Sequence, residues 1–472
     1  MLEAQHLVDG RFTGTPTKRV HNPVDDSMAG MVAVDDGNMV AAAADAAAVA
    51  QPKWGSLPAR ERCDLLVAAS EAIAASAERL GELLAAETGK RRPEAVGEVT
   101  FSAEYFRWFA EEARRPVGAV HSHEAPSRRH FTIRRPAGVV ASLTPWNFPC
   151  SIQARKLAPA LAAGCTVVAR VSEKAPLAVT EMIRLVHEVG LPPGVLNLVH
   201  GPAAATTSAL LDHPAVRVVS FTGSTLVGRA IMRQASARIV RPLLELGGDA
   251  PFIVFDDADV PAAVEGAMVA KFRNAGQSCI GANRFLVHER VFDEFTSEFA
   301  SRIDEMSVGD GLADPVPDLG PCIDAHRARE VQGMVDEAVT GGGRLLTRMV
   351  DVPGPAWCAP ALVADAPDNS ALATSEVFGP AAAVFSFGDD DEALRRANGT
   401  EMGLAGYFYT RDVARAWRVA ERLEVGIVGI NNPLPTTVIA PMGGVKQSGL
   451  GREGSSLGLE EFQDVRYVAL SV

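Results

Sequence analysis

The sequence lacks an excess of positive charge. Its 472 residues include 45 Lys and Arg against 58 Asp and Glu, which gives a formal net charge of −13 at pH 7. Proteins that bind nucleic acid or anionic membranes need a basic face. The acidic balance therefore argues against both kinds of partner, although a local pair of arginines can still create a pocket for a small anion.

Long apolar runs and closely spaced cysteines are also missing. The uncharged stretch LAPALAAGCTVVA (157–169) is too short to cross a bilayer, and MLEAQHLVDGRF at the start does not resemble a secretory signal. The six cysteines show no spacing typical of a disulfide framework or a metal site: Cys63, Cys150, Cys165, Cys279, Cys322 and Cys358. We therefore expect a reduced, soluble, cytoplasmic protein without a bound metal.

The periodicity of apolar residues predicts an α/β fold with two or three domains. Residues 39–50 and 58–89 are rich in Ala, Leu and Glu at helical spacing. From about residue 139, short β-branched runs alternate with helical stretches, and a second such series begins at PFIVFDDAD (251–259). This alternation is typical of βαβ units that form a parallel sheet covered on both faces.

Residues 117–138 fit neither series. The charged sequence HSHEAPSRRHFTIRRPAG (121–138) predicts an extended hairpin that leaves the domain body, and GLEEFQDVRYVALSV (458–472) has the same character. Segments of this kind commonly pack on a neighbouring subunit. His121 and His123 in the hairpin have no further ligands nearby in sequence, so we expect them to be solvated rather than bound to a metal.

The segment KFRNAGQSCIGANR (271–284) contains a candidate nucleophile. A thiol attacks only as the thiolate, which needs a polar and positively biased environment. Cys279 follows Gly276, Gln277 and Ser278, whose backbone N–H groups could point at the sulfur. The alternative is that Cys279 is a small buried hydrophobic residue, which is the usual environment of a free cysteine.

Two further segments supply groups that such a nucleophile needs. TPWNFP (144–149) holds Asn147 between two prolines, as a neutral donor for an oxyanion or as part of a rigid turn. LLELGG (243–248) ends an apolar run in Glu245, which is either a partly buried general base or a carboxylate that caps a helix.

A third segment, FTGSTLVGRAI (221–231), predicts a strand, a glycine-rich turn and a helix. This arrangement places a diphosphate at the N-terminus of a helix. The spacing from Gly223 to Gly228 differs from the GxGxxG pattern of ordinary dinucleotide folds, so the segment alone is weak evidence.

Together and in this order, these segments resemble the NAD(P)-dependent aldehyde dehydrogenase superfamily over nearly the full length. Further similar stretches are LAPALAAGCTVVARVSEKAPL (157–177), EVFGP (376–380) and PMGGVKQSGLGREG (441–454). The resemblance implies a Rossmann-type cofactor domain (1–116 and 139–247), an α/β catalytic domain (248–440) and an oligomerisation arm (117–138 and 455–472). It also implies a homodimer or homotetramer.

The same resemblance implies roles for individual residues. Cys279 would be the nucleophile, Asn147 and the Cys279 backbone N–H the oxyanion donors, and Glu245 the base that releases the acid from a thioester. The implied cofactor contacts are Trp146, Gly223 and Ser224 near the diphosphate, Arg170 and Glu173 at the adenine ribose, and Glu376 and Phe378 at the nicotinamide ribose.

Several positions depart from the family pattern. Arg170 replaces the usual lysine and Val171 the usual proline, while Leu226 and Asp249 replace an acidic residue and an amide or lysine. Gly281 stands where some relatives have a second cysteine, so a disulfide switch is excluded there. We expect NAD to be preferred because Glu173 would repel a 2′-phosphate, and we expect some use of NADP because Arg170 can bind phosphate.

Within the superfamily, the sequence most resembles succinate-semialdehyde dehydrogenases, as in ELGGDAPFIVFDDADV (245–260) and VEGAMVAKFRNAGQSC (264–279). That resemblance implies that Arg155, Arg273 and Thr437 hold the distal carboxylate of the substrate. An arginine pair suits such a group because the planar guanidinium binds oxyanions bidentately.

Three alternatives remain open. Either arginine could instead form an ion pair with an internal carboxylate. The substrate could be another small anionic aldehyde, such as glutarate semialdehyde or an aldehyde that carries a phosphonate. The protein could also be a catalytically silent structural protein on this fold, although intact Cys279, Asn147 and Glu245 argue against that.

Overall fold

The computed structural model describes residues 2–35, 37–115 and 118–472. Residues 116 and 117, where the sequence places the boundary between the first domain and the arm, lie outside the described residues.

The N-terminal part combines short strands with four helices. The elements are β1 (Leu2–Ala4), β2 (His6–Val8), β3 (Arg11–Thr13), β4 (Pro16–His21), β5 (Met28–Ala33), α1 (Met39–Ser56), α2 (Ala59–Ala75), α3 (Ala77–Thr88) and α4 (Arg92–Glu112). The helical region predicted over 58–89 is thus two helices that separate at Ser76. The second of them ends at Gly89, whose φ of +72° is in the left-handed region that glycine adopts without strain.

The next part contains the arm hairpin and then the first alternating series. The elements are β6 (Gly118–His121), β7 (Arg128–Pro136), β8 (Val139–Leu143), α5 (Pro149–Ala163), β9 (Thr166–Arg170), α6 (Leu177–Glu188), β10 (Leu196–Leu198), α7 (Ala203–Asp212), β11 (Val216–Thr222), α8 (Thr225–Ser236) and β12 (Arg241–Glu245). Strands β8 and β9 are buried along their whole length, as expected for a parallel sheet with both faces covered.

The second series and the C-terminal segment complete the chain. The elements are β13 (Ala250–Val254), α9 (Val260–Phe272), β14 (Ala282–His288), α10 (Phe292–Asp304), α11 (Ala325–Thr340), β15 (Arg344–Leu345), β16 (Ala361–Ala364), α12 (Ala371–Thr374), β17 (Ala381–Phe387), α13 (Asp390–Asn398), β18 (Ala405–Tyr409), α14 (Val413–Arg422), β19 (Ile427–Ile430), β20 (Gly449–Leu450), α15 (Ser455–Glu460) and β21 (Gln463–Ser471). Short 3₁₀ turns follow α9 and precede β20.

The strands of the described residues form two large sheets and two small ones. The first large sheet has the order β20-β12-β11-β8-β9-β10-β2-β3, and its five central strands are parallel. The second has the order β15-β16-β17-β14-β13-β18-β19, with every pair parallel except β15 with β16. The predicted α/β class with parallel sheets is therefore confirmed.

Each of the two small sheets includes a strand from one end of the chain. One joins β1, β5 and β4, and the other joins β21, β7 and β6, so the C-terminal strand pairs with the arm hairpin. Strand β21 pairs antiparallel with β7 from Gln463 opposite Pro136 to Ser471 opposite Arg128. Among the described residues, no helix combines the length and the apolar composition needed to cross a membrane.

Candidate active site

Three polar residues lie together at the carboxyl edge of the first large sheet. Strands β8, β11 and β12 are neighbours; Asn147 follows β8, while Thr222 and Glu245 end β11 and β12 and are paired in register. Parallel strands bring their carboxyl ends to one edge, where ligands of such folds bind. Asn147 and Glu245 are both buried. Thr222 is not among the site residues predicted from the sequence.

Cys279 lies in a turn between the two large sheets, where two cavities meet. One cavity, of about 230 Å³, extends towards Ser224 and Glu376. The other, of about 40 Å³, extends towards Arg155 and Arg273. The side chains of Cys279 and Thr222 line both. A thiol at this junction can contact two different ligands at once.

The loop before Cys279 has an unusual backbone. Asn274 and Ala275 have φ values of 54° and 53°, and Gly276 has 72°. A Cβ on Gly276 would lie 2.1 Å from the carbonyl oxygen of Gly379, so only glycine fits. Non-glycine residues in this region cost about 1–3 kcal/mol each and cluster at functional sites. The Asn274 side chain holds the loop by donating to the carbonyl oxygens of Asn147 and Gln277 at 3.0 and 3.1 Å.

Asn147 is fixed from both sides. Its Nδ2 donates to the Gln277 carbonyl at 3.1 Å, and its own carbonyl accepts from Lys90 Nζ at 2.8 Å. Lys90 also forms a buried ion pair with Glu98. An amide nitrogen carries two hydrogens, so one N–H of Asn147 remains for a ligand next to Cys279.

The thiol of Cys279 is neutral in this environment. Burial raises its pKa to about 12, and the nearby charges of Glu376 and Glu245 act in the same direction, while Arg155 opposes them. Because the thiolate is the nucleophile, attack requires a base that removes the proton or an added positive charge in the cavity.

Glu245 can act as that base, and a buried network surrounds it. Burial raises the pKa of Glu245 well above the usual range, the charge of Glu453 raises it further, and Lys156 and Arg155 oppose both effects. Lys156 Nζ lies 2.5 Å from Glu453 Oε1 and 3.0 Å from Ser220 Oγ. Glu245 Oε2 is buried without a hydrogen-bond partner among the described residues. Lys156 and Glu453 are not among the site residues predicted from the sequence, although Glu453 lies in the family-like segment 441–454.

Arg155 and Arg273 both line the smaller cavity. The buried Arg155 lies against Met442 Sδ and 3.5 Å from Glu453 Oε2. That ion pair is long, and Glu453 is held more closely by Lys156, so the internal partner satisfies Arg155 only in part. Arg273 stacks on the ring of Phe148 at 5.0 Å. Within the described part of the chain, no carboxylate forms an ion pair with Arg273.

Of two adjacent threonines near this cavity, the structure places the neighbour of the predicted one on its wall. Thr436 lines the cavity, whereas the predicted Thr437 is not among its lining residues in the described chain. The two threonines are adjacent in a loop without regular structure. In such a loop, no helical or strand period fixes which side chain points towards the cavity.

The larger cavity brings together most of the predicted cofactor contacts. Trp146, Gly223, Ser224, Glu376 and Phe378 all line it. Trp146 and Phe378 meet edge to face at 5.4 Å. Ser224 Oγ caps α8 by accepting from the N–H of Val227 at 3.4 Å, and Glu376 Oε1 accepts from the N–H of Gly248 at 3.2 Å. Burial raises the pKa of Glu376 to about 7.

This cavity suits a nicotinamide dinucleotide. Buried polar atoms without partners are rare in native proteins, yet Thr222 Oγ1 and two guanidinium nitrogens of Arg327 have none among the described residues. All three belong to side chains that line the cavity. Hydroxyls and phosphates would supply the missing partners.

Arg170 and Glu173 lie elsewhere, at a cavity of about 220 Å³ lined by Glu173, Gly201 and Pro202. Arg170 Nη2 donates to Glu173 Oε2 at 2.8 Å and to the Gly201 carbonyl at 3.1 Å. Lys18 of β4 lies 3.8 Å from Glu173 Oε1 and lines the same cavity. The carboxylate of Glu173 thus lies between two cations, of which Lys18 is not predicted from the sequence.

A cysteine at the junction of two cavities, with an amide donor and a buried carboxylate beside it, defines a class of enzyme. It can form a covalent bond with a substrate in one cavity while a redox cofactor occupies the other. Comparison with known proteins supports this class, since the profile of the Aldehyde dehydrogenase family matches residues 12–468. The chain belongs to the aldehyde dehydrogenase family and is an NAD(P)-dependent oxidoreductase.

Relatives of known name cover almost the whole chain. A glutarate-semialdehyde dehydrogenase of Pseudomonas putida is 41% identical over 97% of this chain and 95% of its own length. A succinate-semialdehyde dehydrogenase [NADP(+)] of Escherichia coli is 41% identical over 100% and 98%. The crystal structure of a succinate-semialdehyde dehydrogenase from Burkholderia pseudomallei superposes with a TM-score of 0.97 at 39% identity, covering 100% of this chain and 98% of that one. The predicted family and fold are confirmed.

Proposed function

We propose that this enzyme oxidises a short anionic semialdehyde, with succinate semialdehyde as the main candidate. The observation that carries the proposal is the pair Arg155 and Arg273 on the same small cavity as Cys279. One end of a short substrate can rest on the thiol while its carboxylate lies between the two guanidinium groups. The names of several relatives are consistent with this substrate class.

The proposed mechanism assigns a task to each residue. Glu245 takes the thiol proton, and Cys279 Sγ attacks the aldehyde carbon to form a thiohemiacetal. The free N–H of Asn147 and the Cys279 backbone N–H stabilise the oxyanion. Glu245 releases the thiol proton to solvent before the second stage. As a carboxylate it then takes a proton from the water that attacks the thioester carbon, and it passes that proton to the departing Cys279 thiolate as the acid is released. The bound nicotinamide supplies the hydride acceptor between these two stages.

The larger cavity is proposed to bind the cofactor. Trp146, Gly223 and Ser224 would lie along the diphosphate, and Glu376 with Phe378 would hold the nicotinamide ribose. Gly247 leaves room for Glu376, because a Cβ there would lie 2.6 Å from Glu376 Oε2. A side chain at position 247 would therefore displace the ribose acceptor.

A panel of aldehydes tests the substrate class. We expect kcat/KM for succinate semialdehyde to exceed that for butanal by at least roughly a hundredfold, because two charge-assisted contacts contribute on the order of 1.5–3 kcal/mol each. The measurement is initial NADH formation with succinate semialdehyde, glutarate semialdehyde and butanal. A higher value for glutarate semialdehyde would favour the second candidate, which the names of two relatives also support. A wild-type preference for butanal would exclude the whole substrate class.

For the cofactor we propose a preference for NAD, with NADP accepted. Glu173 can bind two ribose hydroxyls and repels a 2′-phosphate. Two like charges about 5 Å apart at an effective dielectric near 20 repel by roughly 3 kcal/mol. Arg170 and Lys18 offset part of this repulsion, which accounts for tolerance of NADP.

The variant Glu173→Gln tests that proposal. We expect the ratio of kcat/KM with NADP to that with NAD to rise roughly tenfold, because the repulsion disappears while the two cations remain. Lys18→Ala should move the ratio the other way. Steady-state kinetics with both cofactors at a saturating aldehyde concentration give the ratio. A wild-type enzyme that prefers NADP would show that Arg170 and Lys18 outweigh Glu173.

The arm is proposed to join copies of the chain into a homodimer or homotetramer in the cytoplasm. Its strands are exposed in the single chain, and they carry large apolar side chains on the surface: Val120, Ile133, Val465, Tyr467 and Leu470. Such a patch is typical of an interface. The described cysteines are all free thiols, in keeping with a reducing compartment.

A further inference from the structure

Arg327 is a cation in the cofactor cavity whose role the preceding assignments leave open. It is the third residue of α11, and it lines the same cavity as Ser224 and Glu376. Arg329, two residues further along the helix, is exposed to solvent. The two arginines therefore offer a matched comparison on one helix.

The guanidinium of Arg327 has hydrogen-bond donors without partners among the described residues. One nitrogen, Nη1, lies 3.2 Å from Glu330 Oε2 within the same helix. Nε and Nη2 are buried and have no hydrogen-bond partner among the described residues. Leaving buried donors unpaired costs free energy, so native proteins rarely do it without a ligand or water to complete them. The planar fork of an arginine fits phosphate oxygens well.

The start of α11 is fixed against the cofactor side of the molecule. Asp324 Oδ1 caps the helix by accepting from the N–H of Arg327 at 2.8 Å, and Asp324 Oδ2 lies 2.6 Å from Lys174 Nζ. Lys174 follows β9 and also lies over the ring of Trp146 at 5.8 Å. The ion pair thus links the start of α11, which carries Arg327, to the loop after β9 of the first large sheet.

We propose that Arg327 binds the cofactor diphosphate, at the phosphate nearer to the nicotinamide. The inference rests on the proposed function, which places an NAD(P) dinucleotide in this cavity. The diphosphate is the anionic part common to NAD and NADP, whereas Glu376 suits neutral ribose hydroxyls. The N-terminus of α8 behind Ser224 supplies backbone donors on one side. Arg327 supplies the counter-charge and a bidentate contact from the catalytic side.

Isothermal titration calorimetry with fragments of the cofactor tests the assignment without any turnover. AMP lacks the second phosphate, ADP contains both, and ADP-ribose adds the second ribose. We expect Arg327→Ala to weaken the binding of ADP and ADP-ribose by roughly tenfold or more, and that of AMP by less than about twofold. Arg327→Lys should lose less than Arg327→Ala because it keeps the charge. Arg329→Ala should match the wild type.

Each binding result supports or overturns the assignment of Arg327, once thermal unfolding has shown that the variants are folded. An unchanged ADP affinity in Arg327→Ala would overturn the proposal. A loss for ADP-ribose alone would also overturn it, because Arg327 would then act on the ribose. Equal losses for all three ligands would indicate general damage to the cleft and overturn it as well. If the wild type binds neither these fragments nor NADH, the proposed function itself fails, and the assignment of Arg327 fails with it.

Discussion

Cys279→Ala is expected to lower kcat by more than about 10⁴-fold, because the sulfur forms the bond on which both halves of the reaction depend. Cofactor affinity should change little, since alanine only enlarges the junction of the two cavities. Stopped-flow recording of NADH measures activity, and calorimetry with NADH measures binding. Cys63→Ala is the matched control, because this buried cysteine lies in α2 and lines none of the described cavities around Cys279.

The variant Glu245→Gln separates the formation of NADH and thioester from the hydrolysis of the thioester. If the carboxylate acts mainly in thioester hydrolysis, the variant should release up to one NADH per active site in a burst and then turn over slowly. The burst should be slower than in the wild type, because the pKa of Cys279 is raised to about 12 and its proton must then leave without Glu245. Substantial steady turnover by Cys279→Ala would contradict the mechanism, and so would a wild-type rate with Glu245→Gln.

Arg273→Ala is expected to cut kcat/KM for succinate semialdehyde by roughly tenfold to more than a hundredfold, the range of one or two charge-assisted hydrogen bonds. The rate with butanal should hardly change, because Arg273 forms no ion pair in the described chain and its removal leaves no buried carboxylate unpaired. Arg302→Ala is a nearby control. Arg302 and Arg273 line a separate cavity together, but Arg302 pairs with Glu265 and does not line the cavity at Cys279.

Arg155→Met should behave differently. Its positive charge lowers the pKa of Glu245 and of Cys279. Removing it should therefore slow the reaction with butanal as well as that with succinate semialdehyde, while the anionic substrate still loses more. Equal losses on both aldehydes for Arg273→Ala and Arg155→Met would show that the arginines are structural.

The adjacent threonines offer a finer test of the same cavity. Thr436→Val should raise KM for succinate semialdehyde several-fold, by roughly the contribution of one hydrogen bond of about 1 kcal/mol. Thr437→Val should have no such effect, since only Thr436 lines the cavity. If Thr437→Val raised KM and Thr436→Val did not, Thr437 would be the substrate-binding hydroxyl, as the sequence predicts.

Much of this protein could be predicted from local sequence. The alternation of β-branched runs with helical stretches is visible in neighbouring residues of the sequence. This alternation predicts the parallel α/β sheets. Cys279, Asn147 and Glu245 are recognisable because each stands in a short, distinctive segment. Cys279 lies in a polar glycine loop, Asn147 is an amide between two prolines, and Glu245 is a carboxylate at the end of a strand. The family assignment follows from the order of those segments, and the comparisons confirm it.

The tertiary structure decided what depends on residues far apart in sequence. Glu245 is a strong base candidate because Glu453, 208 positions away by number, adds its charge to the effect of burial. Lys18, in the small sheet of β1, β4 and β5, lies near Glu173, and Arg327 of α11 lines the larger cavity. Neither residue stands in a sequence segment that predicts the site. Thr436 rather than Thr437 lines the smaller cavity, and in an irregular loop no sequence period fixes the direction of a side chain. Sequence specifies residue types and local periods, whereas pKa values and cavity linings depend on which distant side chains the packed sheets bring together.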